Sequence, residues 1–287
     1  MMSDLPKPPP GVKTKTYADD VTVYTTAKNA DKAEQILQPH LNRLYKWGKK
    51  WGVEFQAEKS TLLTFSRSRK NPQNLLLFIH GRRIPPSTTT KFLGVHFDRK
   101  LSWKTHINEV VSRCQKKKNL FNILIHHKQS PSIHTLATLY KTIVRSQIDY
   151  GILAYGGAST STLSKIDETT RSILRQILGS ARSTPTEILY SELGLEPTKI
   201  RMHWLAARYL IKLSYKPTHS NYQQAQHHFL HPVTWPPRSI PCLTTLIKDL
   251  KTLNYSNSLF TVSPNYTNQL KPPPPWAVPP TNRSGSL

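Results

Sequence analysis

The pattern of apolar and polar residues near the start of the chain predicts a β-hairpin. Residues 14–18 and 21–25 are rich in β-branched and aromatic side chains, which favour strands. Between them lie the two adjacent acidic residues Asp19 and Asp20. Because Asp tolerates the backbone of a tight turn, we expect both carboxylates at the tip of the hairpin.

A helical pattern follows the hairpin. With Asp31 as its expected N-cap, apolar residues recur every three or four positions until Gly52, namely Ala33, Leu37, Leu41, Leu44, Trp47 and Trp51. Pro39 inside this run predicts a kink or a later helix start. Three β-like runs then follow, at 61–66, 75–80 and 91–98, so residues 1–100 are expected to be mixed α and β.

Residues 101–216 carry almost continuous helical periodicity. The expected helix starts are Ser102 as a cap, Pro131 at a first helical position after Ser130, and a capping box at Thr184-Pro185-Thr186-Glu187. Two further helices are expected over 162–178, ending at Gly179, and over 198–215. The last of these has its apolar positions at Ile200, Trp204, Leu205 and Ile211.

The end of the chain has a different composition. Residues 217–287 hold 12 of the 23 prolines, which predicts an extended or disordered tail with one short helix near 243–253. The fold class expected is therefore α+β, in three parts: 1–100, 101–216 and 217–287.

The charge of the chain points to a polyanionic partner. Lys and Arg number 40 against 16 acids, a formal charge of +24, and residues 1–216 carry 35 of those cations. Such an excess favours nucleic acid first and an anionic membrane surface second. No apolar run is long enough to span a bilayer, and the proline-rich residues 1–15, which lack an apolar core, are not expected to be a signal peptide. Two cysteines, Cys114 and Cys242, predict a reducing, intracellular location, in nucleus or cytoplasm.

The paired carboxylates indicate a chemistry of their own. Two like charges on a rigid hairpin need a cation to neutralise them, and hard oxygen ligands favour Mg²⁺ or Mn²⁺. Two-metal phosphoryl transfer is the natural reaction for such a site. An ordinary Asp-Asp surface turn is the alternative.

Several blocks in order resemble one family. Tyr17-Ala18-Asp19-Asp20, followed by 47–60 (WGKKWGVEFQAEKS), resembles the palm of jockey- and I-like non-LTR retrotransposon reverse transcriptases. The block 91–107 (KFLGVHFDRKLSWKTHI) is similar to their primer grip and thumb entry, and 3–13 (SDLPKPPPGVK) is similar to their lead-in. The resemblance covers about residues 3–216 and implies a partial palm, a helical thumb and RNA-directed DNA synthesis.

The resemblance also implies roles for individual residues. Asp19 and Asp20 would hold the catalytic Mg²⁺ ions, and Lys59 would neutralise or protonate the leaving pyrophosphate. The residues implied to contact primer or other nucleic acid are Tyr17, Phe92, Leu93, Gly94, Arg113, Lys116, Lys117 and Lys118. The implied partners are an RNA template, a DNA primer and deoxynucleoside triphosphates, with no membrane; the sequence leaves the oligomeric state open.

One part of the family pattern has no counterpart in this sequence. The palm needs a further aspartate upstream of the hairpin, and the only acid before Tyr17 is Asp4, in a proline-rich segment. We therefore expect this chain to be inactive by itself. The alternative function is a catalytically inactive, basic, nucleic-acid-binding remnant of such an element.

Other features have plainer interpretations beside the functional ones. Trp47 and Trp51 could stack bases, but their helical spacing is typical of core residues. Arg113 and Lys116 to Lys118 either contact phosphates or form a solvated helix face. The pairs His126-His127 and His227-His228 lack further ligands at metal-binding spacing and are expected on the surface.

Overall fold

The computed structural model describes residues 4–66, 75–127, 130–216, 218–219 and 221–223. The chain divides into two compact units, residues 1–195 and 196–287. Helices and small two-stranded sheets both occur in the first unit, so the predicted mixture of helix and strand is confirmed. Within the described parts, no helix is both long and apolar enough to cross a membrane.

The predicted hairpin is present. Strand β1 (Val12–Tyr17) pairs antiparallel with β2 (Asp20–Thr25), and Tyr17 lies opposite Asp20. One face of the hairpin packs on helix α1 (Ala30–Trp51), where the Thr14 hydroxyl lies 2.9 Å from Nε2 of the fully buried His40. This hydrogen bond and the surrounding apolar contacts fix the hairpin, and with it the acidic tip, on the helix.

Helix α1 ends where the pattern predicted but begins elsewhere. Gly52 closes it in the left-handed conformation, as expected. The prediction of Asp31 as N-cap is wrong, because the side chain of Asn29 accepts the hydrogen bond from the backbone N–H of Lys32 and the helix begins at Ala30. The helix runs through Pro39 without a later start.

The core of this region gathers the helix and the short strands. Its buried members are Val12, Leu37, Ala57, Leu75, Leu77, Ile79 and Ile84. Trp47 is buried (8% exposed) against Phe55, which confirms its predicted core role. Trp51 is 47% exposed, so the same prediction was wrong for it, because Trp51 occupies the last turn of the helix, beyond the neighbours that cover Trp47.

The β-like runs are shorter and more divided than predicted. β3 (Leu62–Leu63) pairs in parallel with β6 (Pro86–Ser87), and β4 (Phe78–Ile79) pairs with β5 (Arg82–Arg83). The single run expected over 91–98 is instead a hairpin of β7 (Thr89–Phe92) and β8 (Val95–Asp98). Leu93 and Gly94 form its two-residue turn, both with positive φ, which is the hand that tight hairpins favour.

The rest of the first unit is helical, as predicted. Its helices are α2 (Lys104–Ile125), α3 (Ile133–Leu139), a π-helical segment (Tyr140–Arg145), α4 (Ser146–Asp149), α5 (Ile152–Tyr155), α6 (Thr160–Leu178) and α7 (Thr186–Glu192). Helix α2 packs along α6, and the fully buried side chains between these elements include Ile107, Phe121, Val144, Tyr155, Ile173 and Leu174. Gly179 ends α6 in the left-handed conformation, as predicted.

Three predicted helix starts were wrong. Ser102 does not cap α2, which begins at Lys104 after Trp103. Ser132, and not Ser130-Pro131, caps α3 by accepting from the N–H of Thr135. Helix α7 begins at Thr186 after Pro185, with no side-chain hydrogen bond at its cap, so the Thr184 capping box is not formed.

The second unit begins with α8 (Thr198–Ser214). Its buried side chains are Met202, Ala206, Leu210 and Leu213, whereas Ile200, Trp204 and Ile211, which the sequence predicted as its apolar face, are exposed. Most of the predicted proline-rich tail lies outside the described residues, which include only its first few positions. The same holds for the short helix predicted near 243–253, for Cys242 and for the pair His227-His228.

Candidate active site and nucleic-acid contacts

The hairpin tip presents its two carboxylates to solvent. Ala18 and Asp19 form the two-residue turn, and Ala18 adopts φ 50° to close it. Asp20 begins β2 directly opposite Tyr17, so the two side chains share one face of the hairpin. Asp19, Asp20 and Tyr17 are all exposed, Tyr17 at 64%. The tip is therefore open to an outside ligand.

The carboxylates of this tip suit a divalent cation. Neither Asp19 nor Asp20 takes a hydrogen bond or an ion pair from another described residue, so no cation among those residues neutralises them. Carboxylate oxygens are the ligands that Mg²⁺ and Mn²⁺ prefer. Across residues 4–66, 75–127 and the described remainder, no three Asp, Glu, His or Cys side chains gather as a complete metal site. The hairpin tip thus offers two carboxylates, those of Asp19 and Asp20, as metal ligands.

Lys59 is exposed in the turn that follows the buried Ala57. Its neighbour Glu58 pairs with Arg82 at 2.9 Å on the exposed surface. Lys59 makes no hydrogen bond or ion pair with another described residue, so its ammonium faces solvent.

The turn between β7 and β8 is held from the helical region. The Tyr150 hydroxyl donates a hydrogen bond to the Leu93 carbonyl at 2.7 Å. A Cβ added to Gly94 would lie 3.1 Å from the Tyr150 ring, and one added to Gly151 would lie 2.9 Å from Val95. The backbone of Gly94 therefore packs closely against the ring of Tyr150. Leu93, at the tip, is exposed.

Most of the cations predicted on α2 have partners within the protein. Lys117 donates to the Ile143 carbonyl, and Lys118 donates to the Ser172 hydroxyl at 2.7 Å. Arg113 pairs with Glu109 at 3.2 Å. Lys116 is exposed and contacts no other described residue through its charge. Only Lys116 of these four presents an uncommitted charge to a phosphate.

Known proteins similar to this chain are polymerases of mobile elements. Residues 1–97 match the family described as reverse transcriptase (RNA-dependent DNA polymerase). Over 202 residues the chain is 29% identical to the RNA-directed DNA polymerase from mobile element jockey of Drosophila melanogaster, covering 70% of this chain and 22% of that protein. The chain is therefore similar to the reverse transcriptases of non-LTR retrotransposons.

Two further relatives are similar to this chain. The jockey polymerase of Drosophila funebris is 27% identical over 202 residues, with 70% of this chain and 22% of that protein covered. The probable polymerase from transposon X-element of Drosophila melanogaster is 25% identical over 210 residues, covering 72% and 23%. The chain spans about a fifth of the length of the curated relatives it matches. No solved structure matches it.

A cluster of charged side chains around Glu109, called here the Glu109 hub, was not predicted from the sequence. The Glu109 carboxylate faces the His96 imidazole and Arg113, and lies 3.9 Å from Lys91. Lys91 and His96 belong to the β7–β8 hairpin and Glu109 to α2, so the hub joins the two elements. The sequence next to Glu109 does not indicate that His96 and Lys91 are its partners, although the excess of cations around it is visible in the sequence.

His106 adds a buried imidazole to the same junction. Its Nδ1 accepts a hydrogen bond from the His96 backbone N–H at 3.3 Å, and its ring lies 4.8 Å from the Tyr155 ring. Burial, aided by the nearby Arg113, lowers the pKa of His106 to about 4. The imidazole is therefore neutral at physiological pH, as its role of acceptor requires.

Asp98 is the second residue that was missed. Its carboxylate accepts from the backbone N–H groups of Lys100, Ser102 and Trp103, at 3.1, 2.9 and 2.7 Å. Leu101 and Trp103 both have positive φ, so this carboxylate holds an unusual backbone between β8 and α2. The Asp98 turn sets the direction in which α2 leaves the hairpin.

Proposed function

We propose that this chain is a palm and thumb segment of an RNA-directed DNA polymerase. Residues 1–100 would form part of the palm, 101–216 the helical thumb and 217–287 a proline-rich tail. The observation that carries the proposal is the exposed pair Asp19 and Asp20 at the tip of a two-stranded hairpin, within the region that matches the reverse-transcriptase family.

In this proposal Asp19 and Asp20 hold Mg²⁺ or Mn²⁺. When bound, the ions would supply the Lewis-acid chemistry of two-metal nucleotidyl transfer. Tyr17, on the same hairpin face as Asp20, lines the position of the primer end. Lys59 offsets charge on the leaving pyrophosphate. The substrates are an RNA template, a DNA primer and deoxynucleoside triphosphates.

The primer strand would be guided by Phe92, Leu93 and Gly94 at the β7–β8 turn. Tyr150 and the Glu109 hub support this turn from α2 and α4–α5, which gives the grip a fixed base. Of the α2 cations, Lys116 contacts phosphate directly, while Arg113, Lys117 and Lys118 act through the packing that they secure.

Primer extension tests this function. A DNA primer annealed to an RNA template is incubated with the full chain, deoxynucleoside triphosphates and Mg²⁺ or Mn²⁺. The chain by itself is expected to be inactive, because no residue of the sequence is assigned to the upstream aspartate. Metal-dependent extension by the wild type would establish polymerase activity, and Asp19→Asn and Asp20→Asn should then reduce it by at least 100-fold, because each removes charge from the metal site. Asp31→Asn, an exposed aspartate of α1, is the matched control and keeps activity.

A nucleic-acid-binding protein without polymerase activity is the second candidate. The formal charge of +24 favours it, since binding to phosphates needs cations and no carboxylates. Salt-sensitive binding to nucleic acid, with no extension by the wild-type chain and no Mn²⁺ binding at Asp19 and Asp20, would establish this candidate and overturn the polymerase assignment.

A further inference from the structure

One face of α8 exposes apolar side chains that most helices would bury. Trp204 is 50% exposed, and Ile200, Ile211 and Tyr215 are exposed to a similar degree or more. With 100° between successive residues, these four lie within an arc of about 60°. The buried Met202, Ala206, Leu210 and Leu213 lie on the opposite side of the helix. Helix α8 therefore has a second apolar stripe in contact with solvent.

Cations flank this stripe and two of them touch its centre. The guanidinium carbon of Arg201 lies 4.8 Å from the centroid of the Trp204 ring, and that of Arg208 lies 5.4 Å from it. Lys212, exposed, follows Arg208 by one turn. The guanidinium of Arg208, stacked on the indole, keeps its N–H edges available, and those edges match phosphate oxygens.

The charge of this face has one sign. Helix α8 contains Lys199, Arg201, Arg208 and Lys212 and no Asp or Glu. We call the surface of Arg201, Trp204, Arg208, Ile211, Lys212 and Tyr215 the Trp204 face. Its complement is a polyanion that also carries flat apolar groups, because the face combines fixed cations with exposed aromatic rings.

We propose that the Trp204 face binds a single-stranded nucleic acid. Phosphates lie along Arg208 and Lys212, while bases contact Trp204 and Tyr215, as in other proteins that hold single strands on aromatic platforms. The choice of nucleic acid among polyanions rests on the proposed function; the binding surface rests on α8 alone. Its occupation requires neither Asp19 nor Asp20.

Binding of a fluorescein-labelled 20-nucleotide single-stranded RNA to the full chain, titrated at several salt concentrations, tests the proposal. We expect Trp204→Ala to weaken binding by about 5-fold or more, the loss typical of one stacked base. Arg208→Ala should weaken it and reduce the slope of log K against log salt by about 0.7, the value of one phosphate contact on a single strand.

Two further variants separate stacking from charge. Arg208→Lys keeps the charge and so the salt slope, but weakens binding because an ammonium lacks the planar fork. Arg182→Ala removes an exposed arginine from a turn of the first unit and is the matched control, with affinity near wild type. Circular dichroism confirms that α8 stays folded in each variant, which half-exposed side chains permit.

Two results would overturn the proposal. One is equal RNA affinity and salt slope for wild type, Trp204→Ala and Arg208→Ala. The other is Trp204-dependent binding to vesicles of phosphatidylserine and phosphatidylcholine together with RNA binding that ignores Trp204. Asp19→Asn separates this inference from the polymerase proposal: it should abolish Mn²⁺ binding at the hairpin tip and leave RNA affinity unchanged, so either claim can fail while the other stands.

Discussion

The hydroxyl of Tyr150 donates a hydrogen bond to the carbonyl of Leu93 at 2.7 Å, across 57 positions of sequence. The same ring covers Gly94, whose missing side chain permits the contact. A two-residue turn at the tip of a hairpin is usually mobile, but this one is anchored to the helical region. The proposed primer grip is thus a supported element.

Gly94→Ala should destabilise the protein more than Gly81→Ala. Both glycines have positive φ, 77° and 72°, so alanine costs about 1 kcal/mol of backbone strain at either position. Only at Gly94 would the new Cβ meet a neighbour, the Tyr150 ring at 3.1 Å, which adds about 1 kcal/mol. Urea unfolding measures the difference, and equal losses would show that the contact is unimportant.

Asp98→Ala should lower the free energy of unfolding by about 3 kcal/mol, because three backbone N–H groups lose a charged acceptor. Asp98→Asn should cost less, since its one carbonyl oxygen can keep the bonds to Lys100 and Ser102. Glu168→Ala, an exposed acid on α6, serves as control and should stay within about 0.5 kcal/mol of wild type. A loss at Asp98 no larger than that of the control would contradict its role.

Acidification should lower the free energy of unfolding through the protonation of His106. Because the folded pKa of about 4 lies below the ordinary 6.5, the unfolded state binds a proton that the folded state excludes between these values. Stability should therefore be highest above pH 6.5 and fall as the pH drops towards 4. His106→Asn keeps an acceptor for the His96 N–H and removes this titration, so its urea midpoint should change less over the same range. Parallel curves for the two proteins would refute the assignment.

Local signals in the sequence were sufficient for part of the fold. The β-prone runs around Asp19 and Asp20 predicted the hairpin, and Gly52 and Gly179 marked two helix ends, because a left-handed C-cap favours glycine whatever lies around it. These features depend on residues close together in the chain, which a pattern can report.

Features that depend on distant partners were missed or reversed. The sequence pattern predicts a single β run over 91–98 where the structure has a hairpin. The turn has no local signal, because Leu93 is an unusual residue for positive φ and its stabilising partner, Tyr150, is distant in the sequence. Ser102 was predicted to cap α2, but at this position the Asp98 carboxylate accepts hydrogen bonds from three backbone N–H groups. On α8 both sides are apolar, so periodicity favoured the stripe with the larger side chains, Trp204 among them, which is the exposed one.

The most direct test of the account is whether the hairpin tip binds a divalent cation. Titration of the ¹⁵N-labelled chain with Mn²⁺ should broaden the amide resonances of Ala18, Asp19, Asp20 and Val21 before others, and Asp19→Asn and Asp20→Asn should abolish this broadening. The adjacent acids Asp167 and Glu168 on α6 provide an internal comparison for weak binding to any acidic pair. Broadening confined to the hairpin tip is the predicted result. Equal broadening at Asp167 and Glu168, or none at the tip, would contradict the assignment of Asp19 and Asp20 as metal ligands.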